Sequence, residues 1–253
     1  MTAAALSLLA VPGLPMVAPG DDLAALLGDA MTAAGLAPAD GDVLVLAQKI
    51  VSKAEGRIVD IADVTASPRA TALAAEIGKD PRVVEVILGE AVRVVRSRPN
   101  LLIVEHKRGW VMANAGVDQS NVGGTGRLLL LPEDPDASAE RLRAALSARF
   151  GVTLAVVIND SFGRAWRRGT AGIAIGAAGL PALVDLRGQP DLFGRILEVS
   201  IIGYADEIAA AASLLMGQAA EGQPAVLVRG LAWTAPDSPA SALVRPPAED
   251  LFR

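Results

Sequence analysis

Two acidic residues stand where apolar runs give way to polar turns: Asp118 in Asn-Ala-Gly-Val-Asp-Gln-Ser-Asn (114–121) and Asp160 in Val-Val-Ile-Asn-Asp-Ser-Phe-Gly-Arg (156–164). A carboxylate anchored just past a buried strand sits on a rigid element and still reaches solvent. Two of them brought together can hold a hard divalent cation against phosphate oxygens. Taken singly, each is better read as a turn former whose side chain bonds its own backbone. Lys53, after an apolar run and beside Gly56, is either a point charge for phosphate or a solvated loop lysine. Arg164, Arg167 and Arg168 flank Trp166 close to Asp160, a grouping that suits bidentate recognition of phosphate or carboxylate, with structural ion pairs as the competing account. Gly123-Gly124-Thr125-Gly126 reads as a turn, and no Walker-type Gly-x-x-x-x-Gly-Lys-Ser/Thr occurs. Gly217 to Gly222 reads as a helix C-terminus and turn, in which the neutral amide of Gln218 is an acceptable oxygen ligand.

The rest of the chain narrows the chemistry. With 253 residues, 52% of them apolar, it builds a sizeable core. Aromatics are only 3% and the formal charge is −5, without a Lys/Arg run, which argues against a nucleic-acid partner and for small molecules. Cysteine is absent, so disulfides, thiolate nucleophiles and Cys-ligated zinc are excluded. His106 is the one histidine and reads as the solvated end of a strand. Ala3 to Val11 lacks a preceding basic residue, the first Lys being Lys49, and reads as a strand rather than a signal peptide. Gly and Pro interrupt every run long enough to span a membrane. A cytoplasmic protein is expected.

The elements that must position these residues follow from pattern. Strands are predicted over 5–11, 42–51, from Ile58, and over 92–95, 101–105, 110–114, 127–131, 152–158, 172–178, 198–202 and 225–229. Helices are predicted from Asp21 or Asp22 to about Gly35, from Ser67-Pro68 to about Gly78, from Asp80-Pro81 through Leu88, from Asp136 through Arg149, and over 205–216. Residues 52–57 read as a polar loop. Strand and helix do not alternate strictly, so the expected class is α+β, with mixed and largely antiparallel sheets against packed helices. Residues 1–231 are expected to form one domain or two subdomains, followed by a loosely ordered Pro/Ala-rich tail over 232–253.

Taken together, several segments resemble the coenzyme F420-0:L-glutamate ligases. They are Gly-Leu-Pro-Met-Val with Pro-Gly-Asp-Asp-Leu, Ala-Gln-Lys-Ile-Val-Ser-Lys-Ala-Glu-Gly-Arg, Ala-Asn-Ala-Gly-Val-Asp-Gln-Ser-Asn-Val, Leu-Leu-Pro-Glu-Asp-Pro-Asp, Asp-Ser-Phe-Gly-Arg-Ala-Trp-Arg, Ala-Ile-Gly-Ala-Ala-Gly and Gly-Gln-Ala-Ala-Glu-Gly-Gln-Pro, in the family's order between about residues 11 and 231. The resemblance implies a GTP-dependent ligase that adds L-glutamate to the lactyl phosphate side chain of a deazaflavin by way of an acyl phosphate. It implies Mg2+ or Mn2+ at two sites, K+ as a helper, and an intertwined homodimer with the site near its interface. Carried across by motif, Asp118 and Asp160 hold the first metal and Ser161 and Gln218 the second. Leu14, Pro15, Met16, Val17, Gln48, Lys49, Lys53, Asn121, Met216, Gly217, Gln218, Ala219, Ala220, Glu221, Gly222 and Gln223 line the nucleotide. Ser161 stands where the family often has Thr, Ala220 where an acidic residue is common, and Gln223 where a small apolar one is. The competing readings are an inactive nucleotide-binding regulator and a related ligase for another phosphorylated carboxylate.

Overall fold

The computed structural model describes residues 4–119 and 122–251. In chain order its elements are β1 (Ser7–Ala10), α1 (Leu23–Ala33), β2 (Val43–Ala47), α2 (Gln48–Ala54), β3 (Ile58–Asp60), α3 (Pro68–Ile77), α4 (Pro81–Glu90), β4 (Ala91–Arg98), β5 (Leu101–His106), β6 (Val111–Ala113), β7 (Arg127–Leu129), α5 (Pro135–Phe150), β8 (Ala155–Gly163), β9 (Thr170–Ala178), β10 (Val184–Asp185), β11 (Ile201–Ile202), α6 (Tyr204–Met216) and β12 (Ala225–Arg229). The expected α+β class holds. A five-stranded sheet runs β1-β12-β2-β8-β9, with β2 and β8 parallel and every other neighbouring pair antiparallel. The meander β4-β5-β6 and the pairs β3-β7 and β10-β11 form separate small sheets.

The middle strands are apolar on both faces because both are covered. Leu27 and Met31 of α1 and Leu146 of α5 pack on Leu44, Leu46, Val156, Ile158 and Leu227. Ala205, Ile208, Ala209 and Ala212 of α6 pack on Val43, Val45, Val157 and Val226 on the other face. Each such Leu, Ile or Val stabilises the fold by roughly 1.5–3 kcal/mol relative to its exposed state. A third cluster joins Ala74, Ile77, Val84 and Ile87 of α3 and α4 to Leu102 and Val104 of the meander. Helix starts obey local chemistry: Asp22, Ser67, Asp80 and Asp134 each accept an amide N–H of the first turn, and Pro follows the last three.

The structure departs from expectation in four places. The run 42–51 is not one strand: it ends at Ala47, and α2 absorbs Gln48 onward together with the first half of the predicted loop. A short apolar run buried on all sides does not declare its period, so strand and helix are indistinguishable there. Strand β8 does not stop before Asp160 but continues to Gly163, since β9 pairs along its full length, Asp160 opposite Ile173 and Ser161 opposite Gly172. His106 is not solvated but 4% exposed. The segment after Leu231 carries two 3-10 turns and is docked on the domain, with Ala240 and Ser241 donating their N–H groups to the Asp136 carboxylate at 2.8 and 3.1 Å. Among the described residues no helix is long and apolar enough to cross a membrane.

Candidate functional site

Three strands of the central sheet, β1, β2 and β8, point the same way. Their carboxyl ends therefore share one edge of the sheet, where mixed α/β architectures commonly receive ligands. Leu14 to Val17 follow β1, and Gln48, Lys49 and Lys53 follow β2 on α2, while Asp160 and Ser161 occupy the end of β8. Strand β12 runs against them, so residues 217–224 leading into it arrive at the same edge. Val11 donates its N–H to the Ala225 carbonyl at 2.9 Å and Ala47 its own to Pro224 at 2.8 Å. The topology alone gathers segments far apart in the chain.

At this edge the charged side chains converge. Lys49 Nζ lies 2.5 Å from Asp118 Oδ2. Burial pushes the Asp160 carboxyl up to about 6; the Ser161 amide N–H works against that shift, the charge of Asp118 adds to it, and Lys49 opposes it. Burial also holds Lys53 below the usual lysine range, helped by Lys49 one helical turn earlier. Asp118, Asp160 and Lys49 thus lie within electrostatic reach of one another, and Lys53 within reach of Lys49. Two repelling carboxylates with only a lysine between them fit a hard divalent cation. No group of three or more Asp, Glu, His and Cys gathers among the described residues, so such a cation would fill its shell with neutral and phosphate oxygens and water.

Asp118 is presented by a strained turn. Asn114, Ala115 and Gly116 are consecutive left-handed residues, at φ 51°, 56° and 68°. Ala115 is buried, and a Cβ at Gly116 would lie 2.7 Å from Leu131 Cδ1, so only glycine fits there. Asp118 is then clamped to β7 by reciprocal 2.9 Å backbone bonds with Leu129. Two left-handed non-glycine residues just before Asp118 are strain that the surrounding packing must hold in place.

Alternation along β8 sends Asp160 to the α2 side and its neighbours to the α6 side. There Ser161 Oγ donates to Gln218 Oε1 at 2.7 Å. Asn159, not singled out from the sequence, is 5% exposed and donates from Nδ2 to Ser213 Oγ at 2.9 Å and towards Met216 Sδ at 3.4 Å. It ties the last turn of α6 to the strand that carries Asp160. A polar residue closing an otherwise apolar strand was the available signal. Past α6, Gly217 has φ 69°, and Ala219 N–H donates to Glu221 Oε2 at 2.8 Å. Further backbone N–H groups of Glu221 and Gln218 help hold the Glu221 carboxyl below its usual range, so this loop already forms an anion nest, occupied by its own side chain.

The remaining residues expected at the site are distributed as follows. Met16, Pro15, Ala220, Gly222 and Gln223 are exposed, and Leu14 is half-buried, while Val17 and Met216 are buried. Gln48 is buried and its Oε1 accepts from Ser52 Oγ at 2.8 Å, a contact internal to α2. Lys53 is 7% exposed on a helix, which replaces the solvated loop lysine. Asn121 lies outside the described residues. Arg164, Arg167 and Arg168 are exposed and form no ion pair among the described residues; Arg164 Nη2 instead donates to the Arg168 carbonyl at 3.2 Å.

Fold and site together define an α+β protein whose anionic and cationic side chains meet at the carboxyl ends of co-directional strands, beside a glycine-bounded anion-binding loop. Residues 13–230 match the F420-0:Gamma-glutamyl ligase family, and the chain belongs to it. It is 46% identical over 250 residues to the coenzyme F420:L-glutamate ligase of Methanothermobacter thermautotrophicus, covering 98% of this chain and 99% of that one. Over 242 residues it is 48% identical to the protein of the same name from Methanopyrus kandleri, covering 94% and 93% of the two chains. The Archaeoglobus fulgidus counterpart is 45% identical over 243 residues, covering 96% and 94%.

Proposed function

We propose that the chain is an F420-0:γ-glutamyl ligase that joins L-glutamate to the lactyl phosphate side chain of F420-0, using GTP with Mg2+ or Mn2+ and releasing GDP and phosphate. The observation that carries this reading is the meeting of Lys49, Asp118 and Asp160 at one strand edge, with Ser161 and Gln218 joined beside it. Relatives that cover nearly the whole chain bear the names of F420 and L-glutamate, which supports the choice of substrates.

Making an amide from a carboxylate requires a better leaving group than oxide. The γ-phosphoryl of GTP first passes to the acceptor carboxylate; the glutamate amine then attacks the acyl phosphate and phosphate departs. No protein nucleophile is required, in keeping with a chain without cysteine and with one buried histidine. A divalent cation, when bound, neutralises phosphate charge. Asp118 and Asp160 would hold one such ion, and Ser161 and Gln218 a second. Lys49 and Lys53 supply point charges to phosphate oxygens, and Leu14 to Val17, Gln48, Asn121 and the loop 216–223 enclose the nucleotide. K+ is a candidate further cation, and a homodimer is the proposed assembly.

The test is incubation of purified protein with F420-0, GTP, L-glutamate and Mn2+, followed by mass spectrometry of the deazaflavin. A glutamyl increment that requires GTP is expected. Its absence from protein that still binds GTP would assign the chain a regulatory role instead.

A further inference from the structure

We propose that the cleft at the outer edge of β9, walled by the C-terminal segment, seats the flat heteroaromatic end of the acceptor, with Arg245 pairing to its phosphodiester anion. The proposal rests on the ligase reading above. The cleft measures about 240 Å³ and is lined in part by Trp110, Phe162, Ile173, Val244 and Arg245.

Its position follows from register. Ile173 is the cross-strand partner of Asp160, so the two side chains share a face with Cβ atoms roughly 5 Å apart. Phe162 lies two residues further along β8 on that same face, about 7 Å on. An acceptor whose ring fills the cleft therefore has its carboxylate within a short linker of Asp160. Strand β2, which leads into α2 with Lys49 and Lys53, flanks β8 on the side away from β9, so donor and acceptor approach Asp160 from opposite edges of β8. Phosphoryl transfer between two bound substrates requires such an arrangement.

The lining suits the ligand. In a chain with 3% aromatics, Trp110 and Phe162 meet here edge to face, with centroids 6.3 Å apart. Arg245 is exposed and forms no ion pair among the described residues, which leaves its planar fork for a phosphodiester. Asp206 accepts the Ala174 N–H through Oδ1 at 2.9 Å and lines the cleft, where a carboxylate oxygen matches a ring N–H donor. The wall that Val244 and Arg245 form belongs to the C-terminal segment. It gives that docked segment a role.

The experiment measures steady-state kinetics of the full-length wild type, Arg245→Ala, Arg245→Lys and Trp110→Leu, varying F420-0 and GTP separately. Direct F420-0 binding is followed by deazaflavin fluorescence. Arg245 is a surface residue, so its variants keep the fold even if Trp110→Leu does not. Expected are a rise of roughly tenfold in the KM and Kd for F420-0 in Arg245→Ala, partial recovery in Arg245→Lys, and an unchanged KM for GTP. An active wild type with an unaltered acceptor KM in Arg245→Ala overturns the cleft and leaves the ligase reading standing. A wild type that binds GTP yet makes no glutamyl product from F420-0 overturns both.

Discussion

An ionised Asp160 stands against its surroundings, since burial and Asp118 both favour its protonated form. A divalent cation removes that conflict, so binding should be read out as stability. At Mn2+ about a hundredfold above its Kd, linkage gives roughly 2.7 kcal/mol, or about 5–10 °C in Tm for a chain of this size. Asp118→Ala and Asp160→Ala should abolish this Mn2+-dependent rise in calorimetry and cut turnover by about 10²-fold or more, while the far-UV spectrum stays native. Equal turnover in either variant would remove that Asp from the metal site. His106 gives an independent pH signature. Its Nδ1 accepts the Arg108 N–H at 3.0 Å, which assigns the proton to Nε2, a buried atom with no hydrogen-bond partner. Burial lowers its pKa from 6.5 to about 4; Glu90 at 3.9 Å opposes the shift, and Arg108, Lys107 and Arg57 add to it. A depressed folded-state value contributes stability that is full above pH 6.5 and is lost as the pH falls towards 4, about 3 kcal/mol in all. Because the chain has one histidine, an NMR titration of its imidazole reads this directly. A midpoint near 4 is expected. His106→Gln should shed that part of the acid sensitivity in urea denaturation at pH 7 and pH 4. A midpoint near 6.5 would mean that the ring is open to water.

At the scale of elements, Asn159 and Gly172 join α6 to the sheet. A Cβ on Gly172 would fall 2.2 Å from Ser213 Oγ and 2.5 Å from the Ala209 carbonyl, so the helix rests on the strand only because no side chain intervenes. Gly172→Ala should cost about 1–3 kcal/mol by overpacking and should displace the loop that carries Gln218. Asn159→Ala deletes the ties to Ser213 and Met216, at about 1–3 kcal/mol for polar groups left unpaired. Both variants should raise the KM for GTP more than that for the acceptor, and Asn159→Ser should recover part of the loss. Equal effects on both substrates would show that α6 does not index the nucleotide loop. These joints also mark the limit of what the sequence discloses. Caps were legible because Asp22, Ser67-Pro68 and Asp80-Pro81 act on neighbours a few residues away. The strand-to-helix change at Gln48 and the extension of β8 through Asp160 were not, because each depends on partners distant in sequence: Ala47 on Pro224, Asp160 on Ile173. The aspartates themselves stood out by type and position, but the pairing of Lys49 with Asp118 across 69 positions needed the fold.

The whole molecule exposes one feature that a single chain leaves uncovered. Between β10 and β11 the chain runs out and back as an irregular hairpin, held by Leu186 N–H to the Ser200 carbonyl at 2.9 Å, by Gly188 and Leu197 in the middle, and by Asp191 at the tip. Its apolar side chains face solvent: Leu192 is 97% exposed, Phe193 95% and Val199 85%, with Ile196 and Ile201 beside them. Other large apolar residues are exposed too, among them Met16, Trp166, Leu214 and Leu251, but here five gather on one hairpin, and an apolar arm of this kind marks a surface for contact. The proposed homodimer would cover it, since exchange of identical arms about a two-fold axis buries both hairpins at once. Sedimentation equilibrium should therefore find a dimer at micromolar concentration, and the paired substitution Leu192→Asp with Phe193→Asp should shift it to monomer, because two desolvated charges per chain would have to be buried for the arm to dock. The altered residues lie at a hairpin tip whose backbone bonds are made by Asp191, so the monomer should remain folded. Its activity then discriminates between two arrangements. Turnover retained in the monomer would mean that Lys49, Asp118 and Asp160 suffice within one chain, whereas turnover lost with Mn2+ binding intact would mean that the arm of the second copy completes the substrate site.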